Sequence, residues 1–255
     1  MVAVTTRAHV RSLRFFPPML VATLRVRRQL RATPGLVRWA SVIGGPREFW
    51  TLTIWSSRHA LQEFMRSGAH GELMWRLSRW LDSFWLMRWR PGTREHGNWD
   101  GLAFAAAERE EEPPPADVPG FLRAAMSGDG RLTYDASPFV RRSRENLAGA
   151  GGAVVRLPLS VRGLATAVRA LRRLRGDEAL LRVFLGAGRR SLFLFVVSSD
   201  PALAARLVED ESVRSAALWA HEWRPENEFG HWDGLRVRTA RTRRLQGASS
   251  STPRF

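Results

Sequence analysis

The sequence predicts an α+β fold of tandem ferredoxin-like repeats forming a single-chain dimeric α/β barrel. One observation is a repeated motif: residues 89–102 (WRPGTREHGNWDGL) and 223–235 (WRPENEFGHWDGL) share eight identities. The other is that the same order of strand and helix patterns precedes both motifs. Self-similarity on this scale indicates duplication of one unit.

The first copy is predicted to run strand, helix, strand, strand, helix, strand. Its central strand is the clearest element, because residues 48–55 (EFWTLTIW) alternate and are rich in aromatic and β-branched side chains. Ser56 and Ser57 follow this strand and can cap the next helix. The preceding elements are predicted as a strand over 10–16, a helix over 18–31 and a strand over 36–43.

The second copy follows the same order, with strands predicted over 153–159, 180–185 and 191–197, a helix over 162–175 and a cap at 198–200. One such sheet leaves an apolar face uncovered, so two sheets are expected to pack face to face. The predicted division is a first repeat over 8–107, a linker over 108–152, a second repeat over 153–238 and a disordered tail over 239–255.

The amino-acid composition limits which catalytic groups the chain can use. The chain has 40 basic residues, all of them arginine, and neither lysine nor cysteine. Lysine Schiff bases, thiolate nucleophiles and cysteine-bound metals are therefore excluded. The net charge of +16 is compatible with an acidic partner or substrate. The arginines are scattered along the chain, however, so no nucleic acid is expected as a partner. No apolar run is long enough for a membrane span, and a cytoplasmic location is the expectation.

The two copies differ in their aromatic content. The first is rich in tryptophan and carries Trp55 and His70, where aligning the serine pairs places Val197 and Ser212 in the second copy. One interpretation is that most of these tryptophans fill the core. The other is an aromatic-lined cavity between the sheet and the helices of the first copy, suited to a haem or a polycyclic substrate. Both copies keep the Trp-Asp-Gly-Leu motif, which favours a structural turn over catalysis.

Two blocks carry a resemblance to a known superfamily. Residues 55–70 (WSSRHALQEFMRSGAH) resemble the strand-to-helix segment of antibiotic-biosynthesis-monooxygenase-type dimeric α/β barrels. The later WRP…GNWDG block resembles the end of spheroidene monooxygenase-like proteins of that superfamily. The resemblance implies an oxygenase, and haem-degrading members carry a tryptophan where Trp55 stands. The haem-binding histidine of those members corresponds to Met74 in this sequence. His70 lies one helical turn earlier, on the same face of the helix, and could still reach an iron.

Three functions follow as hypotheses. The first is a haem-dependent monooxygenase of secondary metabolism acting on a hydrophobic polycyclic or isoprenoid metabolite, with His70 binding the iron and Trp55 and Trp85 forming pocket walls. The second is a cofactor-free oxygenase in which His70 is the base and a tryptophan or Asn98 stabilises an oxyanion. The third is a basic binding protein without activity. In each, the chain is expected to be a monomer with an internal pseudo-dimer, the first copy holding the site.

Overall fold

The computed structural model describes residues 1–104, 147–234, 236 and 237, except for the side chains of residues 74, 75, 77 and 78. The strands are β1 (Val2–Val10), β2 (Leu36–Gly45), β3 (Glu48–Trp55), β4 (Leu81–Gly97), β5 (Gly151–Pro158), β6 (Leu180–Ala187), β7 (Ser191–Ser198) and β8 (Trp219–Gly230). The helices are α1 (Phe16–Ala32), α2 (Arg58–Arg66), α3 (Gly68–Trp80), α4 (Val161–Arg175), α5 (Pro201–Glu209) and α6 (Glu211–Arg214).

The strands form one closed antiparallel barrel in the order β1-β3-β2-β6-β7-β5-β8-β4. Each repeat contributes the ferredoxin-like order, β4-β1-β3-β2 in the first and β8-β5-β7-β6 in the second. The repeats join along the long β4–β8 pair and through one residue pair between β2 and β6, Ile43 with Ala187. The structure thus confirms the predicted single-chain barrel.

The first strand begins earlier than predicted. β1 pairs with β3 from Val2 opposite Trp55 to His9 opposite Glu48, whereas the prediction placed a strand over 10–16. Pro17 and Pro18 lie at the start of α1, where they need no backbone partner and fix a helical φ. The strand therefore ends at Val10, and a helix begins at Phe16, the last residue of the predicted strand.

The predicted linker and tail fall largely outside the described residues. Of the predicted linker over 108–152, the structure describes 147–152, and Gly151 already begins β5. The predicted tail over 239–255 lies entirely outside them. Both predicted caps are confirmed, since Ser57 accepts a hydrogen bond from the Ala60 N–H and Asp200 accepts one from the Ala202 N–H. None of the described helices is both long and apolar enough to cross a membrane.

Aromatic side chains fill the inside of the barrel. On β3, Trp50, Leu52 and Ile54 point inward, while Trp55 points outward to the helices. The tryptophans packed in the interior are Trp50, Trp85, Trp89, Trp99, Trp219, Trp223 and Trp232. The cavity left among them holds about 10 Å³, which is room for about one water. The barrel interior is therefore a packed core rather than a ligand site.

Two equivalent ion pairs connect the two repeats. Arg7 of β1 donates to both carboxylate oxygens of Asp233, at 2.9 and 3.0 Å, and Arg156 of β5 donates to Asp100 at 3.0 Å. Both aspartates have a positive φ, 51° for Asp100 and 49° for Asp233. The repeated Trp-Asp-Gly-Leu motif is thus a structural turn, as predicted, and each copy holds an arginine of the other repeat.

A second pair of contacts repeats the same symmetry inside the barrel. The indole N–H of Trp85 donates to Glu228 at 2.8 Å, and that of Trp219 donates to Glu95 at 2.7 Å. Each bond joins a tryptophan of one repeat to a glutamate of the other. Buried indole N–H groups need such acceptors, so the glutamates both satisfy the core and connect its halves.

Candidate functional site

The structure separates the two tryptophans that were predicted to share a pocket. Trp55 lies under the helices against Phe64, with ring centroids 5.0 Å apart, whereas Trp85 lies inside the barrel bonded to Glu228. Successive strand residues point to opposite faces of a sheet, and these two side chains occupy opposite faces. The structure therefore does not bring Trp85 and Trp55 together on the wall of one pocket.

The second copy's equivalent of Trp55 is also shifted by one residue. Strand pairing places Val2 opposite Trp55 in the first repeat and Gly151 opposite Ser198 in the second. The counterpart of Trp55 is therefore Ser198, not Val197, which points into the barrel. The helical region of the second copy is also shorter, because α3 has 13 residues and α6 has 4.

His70 lies near the start of α3 in an apolar environment. Its ring packs on Phe64 with centroids 4.7 Å apart, so Phe64 lies between Trp55 and His70. Its Nδ1 is 3.4 Å from the carbonyl oxygen of Met65. Burial lowers the pKa of His70 below its ordinary value, the Met65 carbonyl opposing this, so the imidazole is neutral at neutral pH.

These contacts do not fit a haem held by His70. An iron ligand needs an open position beside the imidazole nitrogen and a slot for the macrocycle. The His70 ring is instead packed on Phe64, and the cavity described on this repeat is not lined by His70. Met74 lies in α3, and its side chain is outside the described ones. The described residues also contain no group of three or more histidine and acidic side chains placed to bind a metal.

Asn98 has a structural role at the end of β4. Its side-chain oxygen accepts a hydrogen bond from the Gly101 N–H at 2.9 Å, which closes the turn containing Asp100. His231 does the same in the second repeat, where its Nδ1 accepts from the Gly234 N–H at 3.1 Å. The structure therefore does not bring Asn98 into contact with His70, and the predicted oxyanion role has no support in the geometry.

A second buried histidine was not identified from the sequence. His221 lies inside the barrel, stacked on Trp223 with ring centroids 4.4 Å apart, and its Nδ1 contacts the carbonyl oxygen of Glu222. Burial lowers the pKa of His221, and the nearby carboxylate of Glu95 opposes that effect. Met87 occupies the equivalent position in the first repeat, because strand pairing sets Met87 opposite Glu228 and His221 opposite Glu95.

Two histidines, the half-buried His70 and the buried His221, predict a loss of stability in mild acid. A lowered pKa means that the unfolded chain takes up protons before the folded one, so the stability is complete above the ordinary value of 6.5 and declines as the pH falls below it. The limiting slope is about 1.4 kcal/mol per pH unit for each group. We expect denaturant unfolding between about pH 6.5 and pH 5 to show this decline, and the His221→Met variant to show a smaller one. An unchanged slope in that variant would assign the decline to other groups.

A groove between α1 and α3 is larger than the cavity inside the barrel. It has a volume of about 230 Å³, close to the lower end of small-molecule sites. Its α1 wall is formed by Pro18, Val21, Ala22 and Arg25, and its α3 wall by Ala69, Glu72, Leu73, Arg76 and Trp80. The spacing of three and four residues along each helix places these side chains on one face.

Gln29 fixes the position of the two helices that form the groove. Its amide nitrogen donates to the carbonyl oxygen of Ser67 at 2.8 Å, and its amide oxygen accepts from the His70 N–H at 2.9 Å. These bonds tie α1 to the junction of α2 and α3. In the structure His70 therefore helps to position α3, while the side chains facing the groove come from other positions of the helix.

The groove is apolar with three charged groups at its walls. Arg25 on α1 faces Glu72 and Arg76 on α3 across the groove. None of the three has an ion-pair or hydrogen-bond partner among the described residues. The site therefore offers apolar side chains from both helices and two guanidinium groups able to bind an anionic oxygen. Sequence reasoning missed it, although residues 18, 21, 22 and 25 and residues 69, 72, 73 and 76 share one spacing.

Comparison with known proteins gives similarity only at the level of solved structures. No protein-family model matches the chain, and no curated protein matches it. A proposed monooxygenase from Fusobacterium nucleatum is 10% identical over 90% of this chain and 94% of its own, with a TM-score of 0.34. Two shorter chains match about a third of this one.

One of these shorter chains is SnoaB, a cofactor-independent oxygenase from Streptomyces nogalater, at 12% identity over 35% of this chain and 90% of its own, with a TM-score of 0.31. The other is a proposed antibiotic biosynthesis monooxygenase from Nitrosomonas europaea, at 17% identity over 35% and 97%, with a TM-score of 0.32. The fold described above rests on the chain's own strand pairing, and the resemblance to spheroidene monooxygenase-like proteins stays a prediction.

Proposed function

We propose that the protein binds a hydrophobic organic anion in the groove between α1 and α3 and oxidises it as a cofactor-free oxygenase of the antibiotic-biosynthesis type. The observation that carries the proposal is the pair Arg25 and Arg76, which face each other across an apolar groove without partners among the described residues. A planar enolate or phenolate has the matching properties, an apolar ring system with a charged oxygen.

The chemistry needs little from the protein beyond binding the anion. An activated CH₂ group loses a proton, and the resulting carbanion is stabilised as an enolate beside the guanidinium groups. Glu72 is the acid–base group of the groove and takes that proton. The carbanion reduces O₂ and forms a C–O bond, and the resulting peroxide loses water. The CH₂ group thereby becomes a carbonyl, with one oxygen atom in the product and the other in water.

Binding can be measured with 8-anilinonaphthalene-1-sulfonate, a fluorescent aromatic anion. We expect the Arg25→Ala, Arg76→Ala double variant to bind this probe about fivefold more weakly, because each exposed ion pair contributes at most about 1 kcal/mol. The matched control is the Arg28→Ala, Arg31→Ala double variant, which removes two exposed arginines of α1 outside the groove. Equal losses in both variants would assign probe binding to net charge.

Oxygen consumption with an anthrone as substrate tests the reaction. We expect uptake of one O₂ per anthrone above the protein-free rate, with a lower kcat in Glu72→Gln and a higher KM in the Arg25→Ala, Arg76→Ala variant. If no catalysed uptake occurs while that arginine variant still loses probe affinity, the chain is a binding protein, which was the third hypothesis from the sequence.

The haem-dependent hypothesis predicts a different result. A haem bound through His70 would give a Soret band on titration that the His70→Ala variant loses. Because the His70 ring is packed on Phe64, we expect the unsubstituted protein and the His70→Ala variant to give the same absorbance changes when haem is added. A band that is specific to the protein with His70 would favour the haem-dependent oxygenase over the cofactor-free one.

A further inference from the structure

The outer face of α1 exposes large aliphatic side chains. Leu20 is 45% exposed, Val21 52% and Leu24 52%, and Leu13 in the turn before the helix is 57% exposed. Residues one turn apart lie side by side on a helix, so Leu20, Val21 and Leu24 form one patch at the N-terminal half of α1, and Leu13 is exposed in the turn that leads into that helix. Exposed aliphatic side chains that adjoin one another mark interaction sites more often than isolated ones do.

Basic groups continue the same face. Arg28 and Arg31 lie two and about three turns after Leu20, and both are exposed. Arg28 has no partner among the described residues, and α1 contains no acidic residue. The face therefore changes from leucine to arginine along its length. A helix of this composition binds in the interface of a membrane with anionic lipids.

We propose that this face of α1 docks on an anionic phospholipid surface, with Leu13, Leu20 and Leu24 entering the boundary of the acyl chains and the arginines contacting the phosphates. The charge of the chain, +16, complements such a surface. A second copy fits less well, because two identical faces would bring unpaired arginines together without a carboxylate on either helix. A nucleic acid would leave the leucines in water.

The membrane proposal goes beyond the proposed function and does not depend on it. Leu20 and Leu24 lie outside the groove, whereas Val21 lines both the groove and the patch. The groove consequently lies next to the proposed docking face. A hydrophobic substrate dissolved in a bilayer would meet the groove at the membrane surface.

Co-sedimentation of the full chain with vesicles tests the proposal. Vesicles of phosphatidylcholine alone are compared with vesicles that also contain phosphatidylglycerol. We expect binding to the anionic vesicles, weakened by added salt, and at least about tenfold weaker binding by the Leu20→Glu, Leu24→Glu variant. The matched control is Val161→Glu, Leu164→Glu on α4, where the side chains are 87% and 49% exposed and the change in charge is the same.

The outcomes separate the alternatives. Retained binding in the α4 variant, with 8-anilinonaphthalene-1-sulfonate affinity and the thermal midpoint unchanged in the α1 variant, supports docking through α1. Equal losses in both variants, or no binding to either kind of vesicle, would overturn it. A dimer in size-exclusion chromatography that only the α1 substitutions dissociate, without vesicle binding, would assign the face to a second copy.

Discussion

Replacing Arg7 by methionine is expected to lower the free energy of unfolding by on the order of 3 kcal/mol. Arg7 is 3% exposed and donates to Glu48 at 2.5 Å, to Ser83 at 3.0 Å and to both oxygens of Asp233. Its removal leaves Glu48, whose side chain is 26% exposed, without its guanidinium partner, and it takes both arginine bonds from Asp233, which is 55% exposed. The loss should appear as a lower midpoint in urea unfolding with an unchanged slope.

Arg156 gives the matched comparison, because it occupies the equivalent position in the second repeat. Its side chain is 15% exposed, and its partner Asp100 is 64% exposed and easily hydrated. Its other side-chain bond is to a hydroxyl, that of Ser191, at 3.0 Å. We therefore expect Arg156→Met to cost about 1–2 kcal/mol. Equal losses of unfolding free energy for the two substitutions would mean that the contacts of Arg7 contribute no more to stability than those of Arg156.

Replacing Trp50 by alanine is expected to cost about 3–5 kcal/mol. Trp50 is 1% exposed at the centre of the barrel, where it stacks on Phe184 and Phe195 with ring centroids 4.6 and 5.1 Å apart. The surrounding side chains come from both repeats and are held by strands paired on each side, so the site cannot collapse into the space. Urea or thermal unfolding measures this cost.

The control for this core position is Trp50→Phe. Phe193 stands at the equivalent position of the second repeat, and the indole N–H of Trp50 has no hydrogen-bond partner within the part of the chain that the structure describes. The replacement therefore loses volume but no hydrogen bond to the described residues, and we expect it to cost about 1 kcal/mol. A cost as large as that of alanine would show that the indole N–H has an acceptor, such as an internal water in the neighbouring cavity.

The local sequence determined the order of the elements and the repeated turn. Strand β3 lies over 48–55 as predicted, because its alternation and its serine cap are both local signals. The Trp-Asp-Gly-Leu turn was also predictable, since Asp and Gly adopt a positive φ more readily than other residues. The duplication could be identified from the same motif, because the two turns keep the same contacts in both repeats.

The tertiary structure alone decided which tryptophans meet. Both faces of each sheet are buried, one inside the barrel and one under the helices, so a period of two shows that residues alternate but not which of them face the barrel. Trp55 and Trp85 were consequently assigned to one pocket although they lie on opposite faces. The groove between α1 and α3 depends on how two helices far apart in sequence are held together by Gln29, and that distance is set by packing rather than by any local pattern.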